Sequence, residues 1–113
     1  MQTITIYHNP RCSKSRQTLE LLQSRGLDPR VIDYLKTPLD ESQLHQLRSH
    51  FTLNEFVRTN EPVFKDAGLS LENEDQIIKA MAKEPILMQR PIVIYKGKAV
   101  IGRPPEKVLE LFK

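Results

Sequence analysis

The sequence contains one cysteine and no tryptophan, and it has no apolar run long enough to cross a membrane. A single cysteine, Cys12, excludes a disulfide within the chain and fits a reducing compartment. The first ten residues lack a basic segment followed by a long apolar one, so we expect no secretory signal peptide. Together these absences predict a soluble cytoplasmic protein.

The chain also lacks a strong charge excess. Its net charge is +3 over 113 residues, and the basic residues are spread along the sequence. A nucleic-acid-binding protein more often has a dense basic stripe, so we expect neither a nucleic acid nor a membrane as a partner. The small positive excess would suit a small anionic substrate. The length predicts one domain, residues 1–113, with one core.

Hydrophobic patterning in the first third of the chain predicts a β-α-β unit. Alternating β-branched residues predict a strand over 3–7, and helical spacing predicts a helix over 13–25 that ends at Gly26. A second strand is predicted over 30–35. A crossover helix between two strands implies that the strands are parallel.

The rest of the chain predicts a helical block followed by a hairpin. Residues 37–84 have helical spacing, with a start signal at Asp40. Strands follow over 91–95 and 98–102, joined by a tight turn at Lys96-Gly97, and Pro104-Pro105 opens a last helix. That helix is expected to bury Val108, Leu109, Leu111 and Phe112. The order predicts an α/β fold of thioredoxin type, a four-stranded mixed sheet with a helical insertion between strands two and three.

Cys12 lies where the first strand meets the first helix. A helix N-terminus presents free N–H groups and the positive end of the helix dipole, and both favour thiolate over thiol. The side chains of Arg11, Lys14 and Arg16 would act in the same direction if they turned towards the sulfur. Sites of this kind lower the thiol pKa from about 8.5 by one to several units. We therefore predict a reactive thiolate, at a position that also favours an oxyanion, rather than an inert buried cysteine.

Three residues near Cys12 in the sequence bear on which reactions it could carry out. The sixth residue after it is Thr18, whereas the loop of cysteine phosphatases has an arginine there, so this is not a phosphatase loop. Ser15 stands where a CxxC motif has its second cysteine. His8 could supply positive charge or a proton relay, or it could make a structural hydrogen bond.

Arginines that bind an anion at Cys12 must come mostly from elsewhere in the chain. Three are candidates: Arg58 in "VRTNEP", Arg90 before Pro91, and Arg103 in "IGRPP". In a thioredoxin-type fold the turn before the third strand packs beside the cysteine loop, so we expect a cis Arg90–Pro91 bond there. Each arginine on its own would more often be a solvated charge or part of a structural ion pair.

Four segments, in this order, make the chain resemble the glutaredoxin-linked arsenate reductase family of ArsC type. They are "ITIYHNPRCSKSRQTLELL", "VRTNEP", "PILMQRPIVI" and "IGRPPEKVLEL". The resemblance covers almost the whole chain, and it includes the helical insertion. It is more specific than a lone Cys-x-x-Ser pattern.

The resemblance implies roles for the site residues. Cys12 would be the nucleophile, and Arg58, Arg90 and Arg103 would bind the oxyanion. His8, Ser15 and Pro91 would support the site. No metal or bound cofactor is expected.

The resemblance also implies the co-substrate and partners. Arsenate would be the substrate, glutathione the co-substrate and glutaredoxin the partner, and the protein is expected to act as a monomer. Because Cys12 is the only cysteine, the thiol that completes the reduction must come from outside the chain.

Two other functions fit the same fold, because a fold does not by itself fix a function. One is a transcriptional regulator that binds RNA polymerase, although Ser15 removes the CxxC redox switch of its best-known members. The other is a thiol oxidoreductase that acts on glutathione mixed disulfides and has little arsenate activity.

Overall fold

The computed structural model describes residues 3–113, so Met1 and Gln2, with which the signal-peptide expectation begins, lie outside it. The described chain divides into two compact units. The first consists of the described residues up to Thr37 together with Arg90–Lys113, and the second is Pro38–Gln89. The expectation of one domain over 1–113 stays a prediction.

The first unit is built on a four-stranded sheet in the order β2-β1-β3-β4. Its strands are β1 Thr5–His8, β2 Arg30–Asp33, β3 Ile92–Tyr95 and β4 Lys98–Ile101. β1 pairs with β2 in parallel and with β3 in antiparallel, and β3 and β4 form an antiparallel hairpin. The predicted mixed, thioredoxin-like sheet is therefore confirmed, with strand ends within two residues of the predicted ones.

Helix α1, Ser13–Ser24, connects the two parallel strands. Its cap is Cys12, whose extended backbone has φ −96° and ψ 123°. The chain leaves the helix through Gly26, whose φ of 75° is a left-handed conformation that favours glycine. The core of this unit contains five buried apolar side chains contributed by the sheet, the residue before β1, α1 and the C-terminal segment: Ile4, Ile6, Leu22, Val93 and Val108.

The hairpin turn has the predicted geometry, but the last helix differs from the prediction. Lys96 and Gly97 both have positive φ, 52° and 74°, as a two-residue type I′ turn requires. The last helix, Pro105–Phe112, is a 3₁₀ helix that buries Pro105 and Val108. Because a 3₁₀ helix has three residues per turn, the predicted fully buried face is wrong, and Leu109, Leu111 and Phe112 are only partly buried.

The second unit is the helical insertion between β2 and β3, as predicted. It contains α2 Glu41–Arg48, α3 Leu53–Phe56, α4 Pro62–Asp66, α5 Glu74–Lys83 and a 3₁₀ turn, Pro85–Leu87. Asp40 begins α2 through a capping box with Gln43. None of the helices within residues 3–113 combines the length and apolar character that crossing a membrane requires.

The end of α3 is held by a short backbone pairing inside the second unit. Val57 forms an isolated antiparallel bridge with Met88. The N–H of Arg58 donates to the carbonyl of Leu87 at 2.7 Å, and the N–H of Gln89 donates to that of Phe56 at 2.9 Å. These bonds fix the backbone on both sides of the bridge, so the main chain of Arg58 has a defined position in its unit.

Candidate active site

Cys12 ends a loop that folds back on its own backbone. The N–H of Cys12 donates to the carbonyl of Asn9 at 3.0 Å, and the Asn9 side-chain oxygen accepts the N–H of Arg11 at 3.0 Å. Asn9 is only 7% exposed, so the loop is anchored by a buried polar side chain. Cys12 itself is half-buried, which leaves the thiol accessible to a ligand.

The pKa of the Cys12 thiol is lowered from its ordinary value, in the predicted direction. Burial acts against this by raising the pKa, but the Ser15 N–H, the Arg90 charge, the Lys14 N–H and the Arg103 guanidinium outweigh it. The two N–H groups belong to the first turn of α1, where the amides have no partner within the helix. The thiolate is therefore favoured by a helix N-terminus and by two arginines.

The nearby cations do not contribute in the way that the sequence suggested. Arg11, Lys14 and Arg16 are all exposed, and the Arg16 Nη1 donates to the carbonyl of Pro10 at 2.9 Å. The side-chain charges that lower the Cys12 pKa belong instead to Arg90 and Arg103. The Arg16 side chain ties down the loop, and none of the three side-chain charges is among the causes of the lowered Cys12 pKa.

Arg103 and Arg90 meet at the cysteine. The Arg103 Nη1 lies 4.0 Å from Cys12 Sγ and also donates to the backbone carbonyl of Arg90 at 3.2 Å. Arg90–Pro91 is cis, as predicted, and Arg103–Pro104 is a second cis bond that the sequence analysis did not anticipate. The guanidinium of Arg103 is thus placed between the nucleophile and the backbone of the other arginine.

Two residues that the sequence analysis did not assign to the site pack behind these arginines. A Cβ atom on Gly102 would lie 2.7 Å from Thr18 Oγ1 and 2.9 Å from Pro91 Cγ. The N–H of Gly102 donates to the carbonyl of Pro91 at 2.9 Å, and the Thr18 hydroxyl donates to the carbonyl of Lys14 at 2.8 Å. Position 102 therefore requires glycine, because Thr18 and Pro91 lie too close for a Cβ atom. In the sequence, the "IGRPP" segment was the signal that could have indicated this residue.

His8 and Ser15 form a buried polar pair next to Cys12 in the chain. The His8 Nδ1 lies 2.7 Å from the Ser15 Oγ, which also accepts the N–H of Asn9 at 3.0 Å. Burial lowers the pKa of His8, with Asp33 acting against it and Arg16 acting with it. The lowered pKa favours the neutral form of His8, and the hydrogen bond to Ser15 fits a structural role, whereas a role in supplying charge or a proton stays a prediction.

Arg58, the third predicted arginine, belongs to the second unit. Its Nη2 lies 2.6 Å from the Glu61 Oε1, and both side chains are largely buried. The structure brings Cys12, Arg90 and Arg103 together within the first unit, and the role of Arg58 at the anion stays a prediction.

The chemistry available at Cys12 is nucleophilic attack on a bound anion. A thiolate is favoured there, and cationic groups and helix amides would offset the charge of an oxyanion. Among residues 3–113, no three side chains of the metal-binding types gather in one place.

Comparison with known proteins identifies the family. The model of the ArsC family matches residues 7–111. The chain belongs to the ArsC family. The matched range contains Cys12 and all three predicted arginines, so the resemblance in the four sequence segments is confirmed.

Individual ArsC relatives match over nearly their whole lengths. The uncharacterized protein YfgD of Escherichia coli K12 is 49% identical, over 96% of this chain and 95% of its own. The arsenate reductase of Neisseria meningitidis serogroup B is 42% identical, over 96% and 97%. The solved structure of the arsenate reductase from Vibrio cholerae is 44% identical, with a TM-score of 0.89 over 97% and 98%.

Proposed function

We propose that the protein is an arsenate reductase whose nucleophile is Cys12. The observation that carries the proposal is the 4.0 Å approach of the Arg103 guanidinium to Cys12 Sγ, at a thiol whose pKa is lowered. Such a site binds a small oxyanion against the atom that attacks it. Arsenate fits because it is an anion of this kind whose central atom accepts sulfur and can be reduced. Relatives that carry the name arsenate reductase support this choice of substrate.

In the first proposed step, the Cys12 thiolate attacks arsenic and forms an S–As bond. One As–O bond breaks, and the oxygen leaves as hydroxide, or as water after it takes up a proton. Arg103 and Arg90 offset the charge on the remaining oxygens, and Arg58 would add a third guanidinium. Arginine suits this role better than lysine because its planar fork can bind two oxygens at once.

Reduction then requires a further thiol from outside the chain, since Cys12 is the only cysteine, and the proposed route uses two. In the proposed route, a glutathione thiol displaces a second oxygen of the adduct as water and forms a second S–As bond. A glutaredoxin thiolate then attacks the glutathione sulfur. The electron pair of that S–As bond stays on arsenic, which becomes As(III), and a glutaredoxin–glutathione disulfide forms. Water finally releases arsenite and returns the Cys12 thiol. A route through these thiols favours the reducing cytoplasm as the location of the protein.

The experiment is arsenate-dependent oxidation of NADPH in the presence of glutathione, glutaredoxin and glutathione reductase. We expect turnover by the wild type, none by Cys12→Ser, and at least a tenfold loss in Arg58→Ala, Arg90→Ala or Arg103→Ala, about the size of one lost charge-assisted contact. The matched control is Arg25→Ala, because Arg25 follows the far end of the twelve-residue α1, about 18 Å from its start. Wild-type protein without arsenate dependence would overturn the proposal.

Two alternatives would show no arsenate dependence in this assay, and two further measurements distinguish them. An oxidoreductase for glutathione mixed disulfides would turn over a disulfide substrate through Cys12 but show no arsenate dependence. A polymerase-binding regulator would show neither activity and would be retained on immobilised RNA polymerase.

A further inference from the structure

A groove borders the cysteine loop in the first unit. Its volume is about 380 Å³, which lies in the range of about 300–1,000 Å³ typical of small-molecule sites. The loop before Cys12 and the segment at and after the end of β2 line it, with the residues Asn9, Pro10, Arg11, Asp33, Leu35 and Lys36. The carbonyl of Asn9 accepts the Cys12 N–H at 3.0 Å, so the groove and the nucleophile are formed by one loop.

The lining of this groove carries two cations and one carboxylate. Arg11 and Lys36 are exposed, and Asp33 is half-buried. Within the described residues 3–113, none of the three side chains forms a salt bridge. The Asp33 Oδ1 accepts the N–H of Leu35 at 3.1 Å, which orients the carboxylate without neutralising it. The charges of the groove are therefore not already compensated by pairing with each other.

We propose that this groove binds glutathione and presents its thiol to the adduct on Cys12, an inference that rests on the proposed arsenate reduction. Glutathione has one ammonium group and two carboxylates. The lining has the opposite set, with Asp33 for the ammonium and Arg11 and Lys36 for the carboxylates. Because Arg11 directly precedes Cys12, a tripeptide held in this groove is bound beside the loop that ends at the nucleophile.

A second groove in the same unit provides the contrast. It has a volume of about 500 Å³ and lies at the turn end of the β3–β4 hairpin, lined by Tyr95, Lys96, Lys98, Leu111, Phe112 and Lys113. Three lysines line it without an acidic side chain, so it offers no partner for the glutathione ammonium. It also lies at the end of the hairpin opposite Arg90 and Arg103. The charge pattern and the position both favour the groove beside Cys12.

The binding test uses S-methylglutathione, which keeps the charges of glutathione but has no free thiol. It is titrated into the full ¹⁵N-labelled chain, and amide shifts are followed by NMR. We expect shifts centred on 9–11 and 33–36, and little response to S-methylcysteine, which lacks the flanking residues. Asp33→Asn and Lys36→Gln should each weaken binding about five- to tenfold, about the loss expected for one charged contact. The control Arg25→Gln removes a cation elsewhere and should leave the affinity unchanged.

The same variants are then assayed for turnover, with glutathione varied at saturating arsenate. Asp33→Asn and Lys36→Gln should raise the KM for glutathione by a similar factor and leave the KM for arsenate unchanged. Amide shifts centred on 95–98 or 111–113, or unchanged affinity and KM in both variants, would refute glutathione binding in this groove. The proposed arsenate reduction would not be affected by that result. Binding in the groove without any arsenate turnover would instead refute the proposed substrate and leave the thiol site in place.

Discussion

Gly102→Ala tests whether the packing behind the arginines sets the reactivity of Cys12. The new Cβ would lie 2.7 Å from Thr18 Oγ1 and 2.9 Å from Pro91 Cγ, well inside the separation of about 3.5–4.0 Å that is optimal for carbon atoms. Neither neighbour is the loose end of a flexible side chain, because Thr18 is fully buried and its hydroxyl is bonded to the Lys14 carbonyl. The segment that carries Arg103 therefore has to move.

The expected cost of this substitution follows from overpacking. Adding a methyl group to a filled site typically costs about 1–3 kcal/mol. At about 4 °C per kcal/mol for a chain of this size, the melting temperature should fall by about 4–12 °C. The pKa of Cys12 should also rise towards its ordinary value, because Arg90 and Arg103 both lower it in the wild type. Thermal unfolding and the pH dependence of iodoacetamide alkylation measure the two effects.

Two further variants make the Gly102 test decisive. Gly68→Ala is the matched control, since Gly68 has φ 65° and nothing within 4 Å of a Cβ. Gly68→Ala should lower the stability by about 1–2 kcal/mol, because an alanine there has to adopt a left-handed backbone conformation, and it should leave the alkylation profile unchanged. Thr18→Ala removes two of the three nearest atoms, so combining it with Gly102→Ala should recover part of the stability loss. Unchanged melting and alkylation in Gly102→Ala, or strict additivity in the double variant, would refute the reasoning.

Three predictions concern protons and buried hydrogen bonds. A lowered thiolate pKa makes Cys12 contribute stability that is present above the unfolded pKa and lost as pH falls through the folded one. The urea stability of wild type relative to Cys12→Ser should therefore grow from neutral pH to pH 9, and a flat difference would contradict this. The pKa of His8 is also lowered in the folded protein, so as pH falls the unfolded state binds the His8 proton before the folded state does. Stability should fall as pH drops below about 6.5, and less steeply in His8→Asn; equal slopes would count against burial as the cause. Ser15→Ala removes the hydroxyl that contacts His8 Nδ1 and the Asn9 N–H, and it should cost about 1–3 kcal/mol of stability. The control Ser24→Ala changes an exposed serine and should lie within about 0.5 kcal/mol of wild type. Equal urea midpoints for the two variants would disprove the prediction.

Local patterns predicted the parts of the fold that depend on local physics. The strand alternation, the Asp40 cap and the Lys96-Gly97 turn each act within a few residues, and each has its predicted structure. The thiolate at Cys12 was predictable for the same reason, because a helix N-terminus lowers a thiol pKa wherever one occurs. The conformation of the last helix was not, since the same apolar spacing suits an α-helix and a 3₁₀ helix.

The contacts that complete the site depend on distant parts of the chain. Arg103 reaches Cys12 across 91 residues of sequence, a contact that no local spacing indicates. The cations nearest in sequence were the natural candidates, but Arg16 binds the Pro10 carbonyl instead. The sequence marked Arg90 and Arg103 as candidates, and the family resemblance assigned them to the anion. The direction of a long side chain is decided by tertiary contacts, which the sequence alone does not supply.

The β3–β4 hairpin has a consequence for engineering the protein. Ile92 is paired with Ile101, so Arg90 and Arg103 each lie two residues beyond the same rung, at the open end. The turn lies at the opposite end of four-residue strands, about 13 Å away. An affinity tag or fluorophore inserted between Lys96 and Gly97 would therefore spare both arginines. A one-residue deletion within either strand would instead shift one arginine against the other.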